Sequence, residues 1–151
     1  MSAAKRSVLV TGCSSGIGRA TALRLARAGF ATYASARDEA ALGGLRDAGC
    51  YTLPLDVRDE ASMAAAVAAI AREHGALYAL VNNAGFSQSG ALETLSLEKV
   101  RKQFETNLFG LLRLTQLALP GMRAAGAGRI VNLSSMGGKI TVPGFGAYHA
   151  S

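Results

Sequence analysis

Short apolar runs alternate along this chain with longer stretches in which apolar and polar residues mix. A glycine lies within two residues of each run. The runs are continuous rather than alternating in polarity, which is typical of parallel strands covered on both faces. They predict five strands, at residues 7–11, 30–36, 51–55, 76–81 and within 128–135.

The intervening stretches have helical spacing, and residues that start or stop helices bound them. They predict helices at residues 16–28, 39–47, 59–75 and 96–122. Asp59 is a predicted N-cap, and Gly29 and Gly75 are predicted C-terminal stops. Pro120 predicts the fraying end of the last helix, and Pro54 predicts an edge or end position for the third strand.

Strand–helix repeats of this length predict parallel pairing through right-handed crossovers. The expected fold class is therefore α/β, an open doubly wound parallel sheet with helices on both faces. No linker, internal repeat or low-complexity tract interrupts the pattern, so residues 1–151 are expected to form a single domain.

Composition narrows the class of protein. Half of the 151 residues are hydrophobic and 17% are charged, which is typical of a globular chain. No apolar run reaches membrane-spanning length, and the first ten residues hold no long apolar segment, so we expect a cytoplasmic protein without a membrane partner. Cys13 and Cys50 are too few for a disulfide framework, and no residue spacing indicates a metal site.

The net charge of +6 raises the alternative of a nucleic-acid binder. The basic residues argue against it, because they are spread singly along the predicted helices and no aromatic residues interleave with them. We therefore expect no nucleic-acid partner. A solvated surface with one phosphate site explains the charge equally well.

The stretch "TGCSSGIG" at residues 11–18 lies between the first strand and the first helix. Gly12 allows the tight turn, Gly16 lets backbone N–H groups approach a pyrophosphate, and Gly18 lets the helix pack close to the sheet. The helix N-terminus adds a partial positive charge. This context, at the carboxyl end of a strand, predicts dinucleotide binding.

The spacing G-x-x-x-G-x-G, with "NNAG" at 82–85, "GRIVNLSS" at 128–135 and "YHAS" at 148–151, resembles the short-chain dehydrogenase/reductase family. The resemblance runs in register from about Ser7 to Ser151. It implies a Rossmann-type sheet represented by its first five strands. It also implies an enzyme that transfers a hydride between a nicotinamide cofactor and a carbonyl or alcohol.

The end of the second strand indicates which cofactor is bound. An NAD-preferring site places an acidic residue there to hold the ribose hydroxyls, whereas this chain has Ala36 followed by Arg37. Because a guanidinium can pair with a 2′-phosphate, Arg37 predicts NADP(H). The alternative is a surface arginine paired with Asp38 or Glu39.

The resemblance assigns further residues to the cofactor. Asp56 and Val57 would lie beside the adenine, although the same stretch also fits a plain helix-entry turn. "NNAG" would support the adenosine and nicotinamide side, with a structural role favoured for Asn82. The implied cofactor-binding set is Gly12, Ser14, Ser15, Gly16, Ile17, Gly18, Arg37, Asp56, Val57, Asn83, Ala84 and Gly85.

The resemblance also implies the catalytic residues. Tyr148 corresponds to the family's acid/base, Ser135 to its substrate-orienting hydroxyl, and Asn107 to the asparagine that kinks the long helix and holds a water. Ser134 is a competing serine, but the spacing to Tyr148 favours Ser135. Each residue has a structural alternative: a half-buried aromatic for Tyr148, a turn residue for Ser135 and a helix-interior polar group for Asn107.

The family places a lysine four residues after the tyrosine, and this position would be 152, one residue after Ser151. The expectation is a truncated reductase whose complete form is a homo-oligomer. The alternative is an inactive NADP(H)-binding sensor or partner-binding protein. "SSMGGKITVPGFGAYHAS" is similar to the branch acting on apolar alcohols, and Phe86, Met136, Val142 and Phe145 are candidates either for an apolar pocket or for packing.

Overall fold

A computed structural model describes residues 5–151 and contains one sheet of five parallel strands. The spatial order of the strands is β3-β2-β1-β4-β5, so the first strand is central. β2 and β3 are added on one side of β1, and β4 and β5 on the other, so the strand order reverses between β1 and β4. The predicted fold class is confirmed. The strands are β1 (Ser7–Val10), β2 (Ala31–Ala36), β3 (Tyr51–Pro54), β4 (Ala79–Asn82) and β5 (Arg129–Asn132). The sequence analysis found no long apolar segment in residues 1–10. Residues 1–4 of that stretch lie outside the residues that the structure describes.

Six α-helices flank the sheet within the described residues. They are α1 (Gly16–Arg27), α2 (Gly43–Asp47), α3 (Glu60–His74), α4 (Leu97–Phe104), α5 (Leu111–Ala124) and α6 (Gly146–His149). Two 3₁₀ turns, Glu39–Leu42 and Met136–Gly138, and a π-helical segment, Glu105–Gly110, complete the ordered elements. The part of the chain that the structure describes has no helix with the length and apolar character needed to cross a bilayer.

The two faces of the sheet carry separate apolar clusters, which explains why the strands are continuously apolar. Val8 and Val10 of β1 point to the face covered by α1 and α2, where Ala22 and Leu45 are buried. Leu9 points to the opposite face, which α3 and α5 cover. A strand buried on both faces cannot alternate in polarity, so the predicted doubly wound packing follows from the sequence pattern.

Several boundaries differ from the sequence prediction, and the largest differences are in the long helix and the fourth strand. The predicted helix at 96–122 is divided by the π-helical segment and continues to Ala124, so that Pro120 lies inside α5 rather than at its fraying end. The fourth strand begins at Ala79 instead of residue 76. The Ser7 hydroxyl donates to the Ala76 carbonyl oxygen at 2.9 Å, and the Tyr78 backbone N–H donates to the Ser7 carbonyl oxygen at 3.1 Å, so the residues before Ala79 are also tied to β1.

Both edge strands are short. Pro54 pairs with Ala36 at the end of β3, and its missing N–H falls on an edge strand, as predicted. At the opposite edge β5 pairs with β4, and Val131 is 48% exposed there. The carboxyl ends of β1, β2, β3 and β4 lie together, and the loops that follow them form the site described next.

Candidate functional site

A cleft of about 620 Å³ lies beyond the carboxyl ends of the strands. It holds eleven of the twelve predicted cofactor-binding residues, and Gly18 is the exception because it is buried beneath the cleft. Its lining consists of Gly12, Ser14, Ser15, Gly16, Ile17, Ala36, Arg37, Leu55, Asp56, Val57, Arg58, Asn83, Ala84, Gly85, Phe86, Lys102 and Thr106. The structure therefore brings together residues that are separated by up to 94 positions in the chain.

The glycine-rich turn between β1 and α1 has a backbone that glycine alone adopts readily. Gly12 has φ of +70° and Gly16 has φ of +56°. A Cβ on Gly12 would lie 2.9 Å from the Ala84 Cα, whereas a Cβ on Gly16 would point into open space. The first turn of α1 contains no acidic residue, so its free N–H groups and partial positive charge face the cleft unopposed.

The Asn83 side chain supports this turn through hydrogen bonds. Its Nδ2 donates to the Thr11 carbonyl oxygen at 2.9 Å and to the Gly12 carbonyl oxygen at 3.0 Å. A Cβ on Gly18 would lie 2.3 Å from Asn83 Nδ2 and 2.4 Å from the Gly12 carbonyl oxygen, so Gly18 is needed for this close packing. "NNAG" and "TGCSSGIG" are thus one interlocked unit, and their joint shape positions the cleft.

Thr11 completes this unit and was missed by the sequence analysis. Its Oγ1 accepts from the backbone N–H of Asn83 at 3.0 Å and of Ala84 at 2.9 Å. The signal was present, since a threonine ends an otherwise apolar strand directly before the glycine turn. Nothing in the sequence pairs it with residues 83 and 84, which lie more than seventy positions away.

Asn82 is buried, as its predicted structural role requires. Its Nδ2 donates to Thr115 Oγ1 of α5 at 3.1 Å and to Asn132 Oδ1 of β5 at 2.9 Å. The side chain therefore ties the ends of two neighbouring strands to a helix that covers them.

Arg37 lies at the end of β2 and lines the cleft with its side chain exposed. The carboxylates predicted as its alternative partners are engaged elsewhere. Glu39 pairs with Arg46 at 2.6 Å, and Asp38 Oδ1 accepts from the Ala40 N–H at 2.9 Å. Within residues 5–151 no carboxylate lies within ion-pair distance of Arg37.

Asp56 and Arg58 form an ion pair at the same end of the cleft. Arg58 Nη2 lies 2.8 Å from Asp56 Oδ2, and Arg58 Nε donates to Oδ1 at 3.1 Å. The hydrogen bond from Arg58 lowers the pKa of the Asp56 carboxyl against the opposing effect of burial, and the charge of Arg37 lowers it further. The sequence analysis did not single out Arg58.

Ser135 and Tyr148 lie outside the lining of the cleft, on two segments that touch each other. Ser135 Oγ accepts from the Gly137 N–H at 3.0 Å and starts the turn Met136–Gly138. A Cβ on Gly137 would lie 3.1 Å from Cε1 of the Tyr148 ring, so the absence of a side chain lets the ring rest on this turn. Within the described residues, neither hydroxyl donates a hydrogen bond to the protein.

His149 joins the same two segments and was missed by the sequence analysis. Its Nε2 accepts from the Val142 N–H at 2.9 Å, so the ring hydrogen is assigned to Nδ1, which donates to the Gly137 carbonyl oxygen at 2.9 Å. The imidazole therefore bridges both ends of the loop at 137–142 and fixes it against α6.

Asn107 lies in the π-helical segment, in agreement with the expected irregularity of the long helix. Its Oδ1 accepts from the Phe86 N–H at 3.1 Å, and its Nδ2 donates to the Phe86 carbonyl oxygen at 2.9 Å and to Ser151 Oγ at 3.0 Å. Both amide hydrogens are thus occupied. The side chain anchors the loop after β4 to the end of α6.

Gln103, also missed, extends this network from α4. The residue is fully buried, its Oε1 accepts from the Gln88 N–H, and its Nε2 donates to Ser151 Oγ at 3.2 Å. Of the four candidate apolar residues, Phe86 lines the cleft, Phe145 packs near His149 with ring centroids 6.3 Å apart, and Met136 and Val142 are exposed.

The cysteines have a packing role in the structure. Cys13 and Cys50 are buried and free, and burial raises the pKa of the Cys13 thiol to about 11 and raises that of Cys50 as well. Both thiols therefore stay protonated near neutral pH.

Among the residues from 5 onward, no group of three or more His, Cys, Asp and Glu side chains could hold a metal ion.

The model of one protein family, described as short chain dehydrogenase, matches residues 6–151. Among curated relatives, the uncharacterized oxidoreductase YbbO of Escherichia coli K12 is 43% identical over 148 residues, 97% of this chain and 55% of that protein. The 3-ketodihydrosphingosine reductase of Bacteroides thetaiotaomicron is 39% identical over 145 residues, covering 95% and 52%. The chain thus spans about half the length of these relatives.

A solved structure of a reductase also matches this chain over most of its length. A variant of actinorhodin polyketide ketoreductase with NADPH superposes with a TM-score of 0.91 at 39% identity. The match covers 97% of this chain and 59% of the ketoreductase chain.

Proposed function

The chain belongs to the short-chain dehydrogenase family, and from this premise we propose that it forms the cofactor-binding portion of an NADP(H)-dependent oxidoreductase. The reaction is the interconversion of a small-molecule carbonyl compound and its alcohol. The observation that carries the proposal is the cleft. In it, the glycine-rich turn after β1, the N-terminus of α1 and Arg37, which has no carboxylate partner among residues 5–151, lie together.

The cleft has the features that a dinucleotide needs. Pyrophosphate oxygens would accept from the first-turn N–H groups of α1, because the backbone at Gly16 faces open space. Asp56 and Val57 line the same cleft and would contact the adenosine, and Asn83, Ala84 and Gly85 line it as well. The predicted cofactor-binding residues are thereby compatible with a single extended ligand.

Arg37 supports NADP(H) over NAD(H). Its guanidinium is available to a 2′-phosphate, and Ala36 offers no carboxylate that would accept from a ribose hydroxyl. A ketoreductase of the same fold is known with NADPH, which agrees with this choice. When bound, NADPH supplies the hydride.

The residues assigned to the chemistry are Tyr148, Ser135 and Asn107. The Tyr148 hydroxyl would give its proton to the substrate oxygen, and Ser135 would donate a second hydrogen bond to that oxygen. The contact between the Tyr148 ring and the turn of Ser135 supports this pairing. Asn107 would position Tyr148 indirectly, because it fixes the chain just after α6 through its hydrogen bond to Ser151.

An apolar carbonyl compound is the proposed substrate class. Met136 begins the turn that contacts Tyr148, Val142 follows it in the chain, and both side chains are exposed, so they are available to contact an apolar substrate. The relative named for reduction of 3-ketodihydrosphingosine acts on a ketone, which is consistent with this class.

Calorimetric titration of the 151-residue chain with NADPH and with NADH tests the cofactor proposal. We expect saturable binding of one NADPH per chain and weaker binding of NADH. Absence of binding of either nucleotide refutes the proposal. Turnover is measured separately, as loss of NADPH absorbance with a panel of apolar and polar ketones, and binding without turnover would leave the chain a nucleotide-binding unit.

A further inference from the structure

The cleft contains one carboxylate among its described lining residues, that of Asp56, and three cations, those of Arg37, Arg58 and Lys102. The negative charge of this carboxylate repels the additional phosphate of NADP(H). Its electrostatic effect on that phosphate depends on what neutralises it.

Arg58 neutralises Asp56 with a nearly complete set of hydrogen bonds. Asp56 Oδ1 accepts from the Arg58 backbone N–H at 3.0 Å and from its Nε at 3.1 Å, and Oδ2 accepts from Nη2 at 2.8 Å. Each carboxylate oxygen has two lone pairs, so one lone pair on Oδ2 remains for another donor. The carboxylate can accept from one amino group while its charge stays paired.

The other acidic residues near this end are engaged outside the cleft. Asp38 and Asp59 accept from backbone N–H groups at the starts of helical turns, and Glu60 pairs with Arg113. Asp56 is therefore the carboxylate that would compete with a bound phosphate for Arg37. Without Arg58, its charge would repel the phosphate and attract Arg37, whose own charge already acts on Asp56.

We propose that Arg58 is a positioning residue for cofactor choice, which holds and neutralises Asp56 so that Arg37 stays available to the 2′-phosphate of NADP(H). This inference rests on the proposed function and adds a second arginine to the basis of the preference. Arg58 acts through Asp56 and makes no contact of its own with the phosphate.

The test compares affinities for NADPH and NADH in Arg58→Gln, Asp56→Asn and the double variant. In Arg58→Gln we expect NADPH to bind about three- to tenfold more weakly and NADH to change by less than about twofold. In the double variant the NADPH-to-NADH affinity ratio returns to that of the original chain, because the competing charge is gone. Asp56→Asn alone leaves the ratio unchanged or higher.

Arg113→Gln is the matched control, since it breaks an arginine–glutamate pair that does not line the cleft. It should change neither affinity. Equal losses of NADPH and NADH in Arg58→Gln overturn the proposal, as does an unchanged NADPH affinity. A ratio that stays low in the double variant also overturns it, because Arg58 would then bind the phosphate directly. If the unsubstituted chain shows no preference for NADPH, the proposed function fails first and this inference fails with it.

Discussion

At the scale of single residues, the end of β2 determines what the adenosine side of the cleft can hold. The neighbouring acids Asp38 and Glu39 are engaged with Ala40 and Arg46, which leaves Arg37 without an ion pair among residues 5–151. A guanidinium in this state can form charge-assisted, bidentate hydrogen bonds with a phosphate.

Replacing Arg37 with alanine should weaken NADPH binding about ten- to a hundredfold, because the phosphate loses a charge-assisted bidentate partner. NADH has no 2′-phosphate, so its affinity should barely change. Calorimetric titration of both cofactors measures the difference. Arg24→Ala is the control, since it removes an exposed arginine of α1 that lies outside the cleft lining. Equal losses for the two cofactors would refute the role of Arg37.

Burial of Cys13 has a consequence for stability at alkaline pH. The pKa of its thiol is raised from 9.0 to about 11, so the folded state keeps the proton at pH values where the unfolded chain loses it. Its contribution is full below pH 9 and declines as the pH rises toward 11, by a total on the order of 2 kcal/mol. Tyr33 and Cys50, whose pKa values are also raised, act in the same direction.

Cys13→Ala should therefore lose less stability than the original chain between pH 9 and pH 11. Urea unfolding at several pH values measures the free energy of unfolding of both proteins. The difference at pH 7 gives the cost of the lost packing, and the change in that difference with pH reports the thiol. Parallel stability curves across this range would show that Cys13 does not titrate there.

At the scale of elements, the segments that carry the candidate catalytic residues Ser135 and Tyr148 are held together by a few side chains. The turn that Ser135 starts, the loop at 137–142 and helix α6 meet around the His149 ring, which accepts from Val142 and donates to Gly137. α6 spans four residues, which is too short to be stable by itself. Its position therefore depends on these contacts and on the network through Ser151.

His149→Phe should keep the ring volume and remove both hydrogen bonds. We expect the Val142 amide to exchange its hydrogen about tenfold faster or more, since a bond of about 1–1.5 kcal/mol is lost. Hydrogen exchange followed by NMR measures this rate. The Leu55 amide, which donates to the Ala36 carbonyl oxygen at 2.9 Å on the far side of the sheet, serves as the internal control. An unchanged Val142 rate would show that the imidazole does not hold the loop.

Where the long helix is divided by the π-helical segment, it also packs closely against the loop after β3. A Cβ on Gly110 would lie 2.3 Å from the carbonyl oxygen of Val57, a residue that lines the cleft, so the helix can approach it this closely only at a glycine. The π-helical segment ends at this residue, and it also carries Asn107. One local irregularity thus positions a predicted catalytic residue and a wall of the cofactor cleft.

At the scale of the whole molecule, the sheet has an exposed edge at β5. This strand pairs with β4 in the described residues, and Val131 is 48% exposed. Unpaired backbone groups on an edge strand are a template for pairing with another chain. The apolar side chains of Leu108, Phe109 and Leu112 are also exposed and add surface that favours association.

We therefore predict that the 151-residue chain associates with itself as its concentration rises, and that Val131→Lys reduces this association. A lysine on the edge places a charge where a second strand would pair. Sedimentation velocity over a range of concentrations measures the effect. Ala127→Lys adds the same charge outside the strand and should have little influence. Similar behaviour of both variants would assign the association to another surface.

Much of the architecture could be predicted from local pattern. Residues 8–10 are continuously apolar because both faces of the strand are covered, and that pattern requires no knowledge of the partner elements. The capping role of Asp59 and the edge position of Pro54 were likewise predicted, since each depends on the chemistry of one residue. The boundary at residue 79 was not, because it depends on how this run pairs with the neighbouring strands β1 and β5.

The sequence by itself determined the α/β class, the glycine turn and the identity of the candidate cofactor and catalytic residues, because these depend on local pattern and motif spacing. Only the tertiary structure showed that Asn83 and Thr11 support the turn, that Arg58 holds Asp56, and that Gln103 and His149 fix the segments around Tyr148. Most of these contacts join residues far apart in the chain. Their hydrogen bonds exist because the sheet brings the strand ends together, and spacing along the sequence carries no record of that proximity.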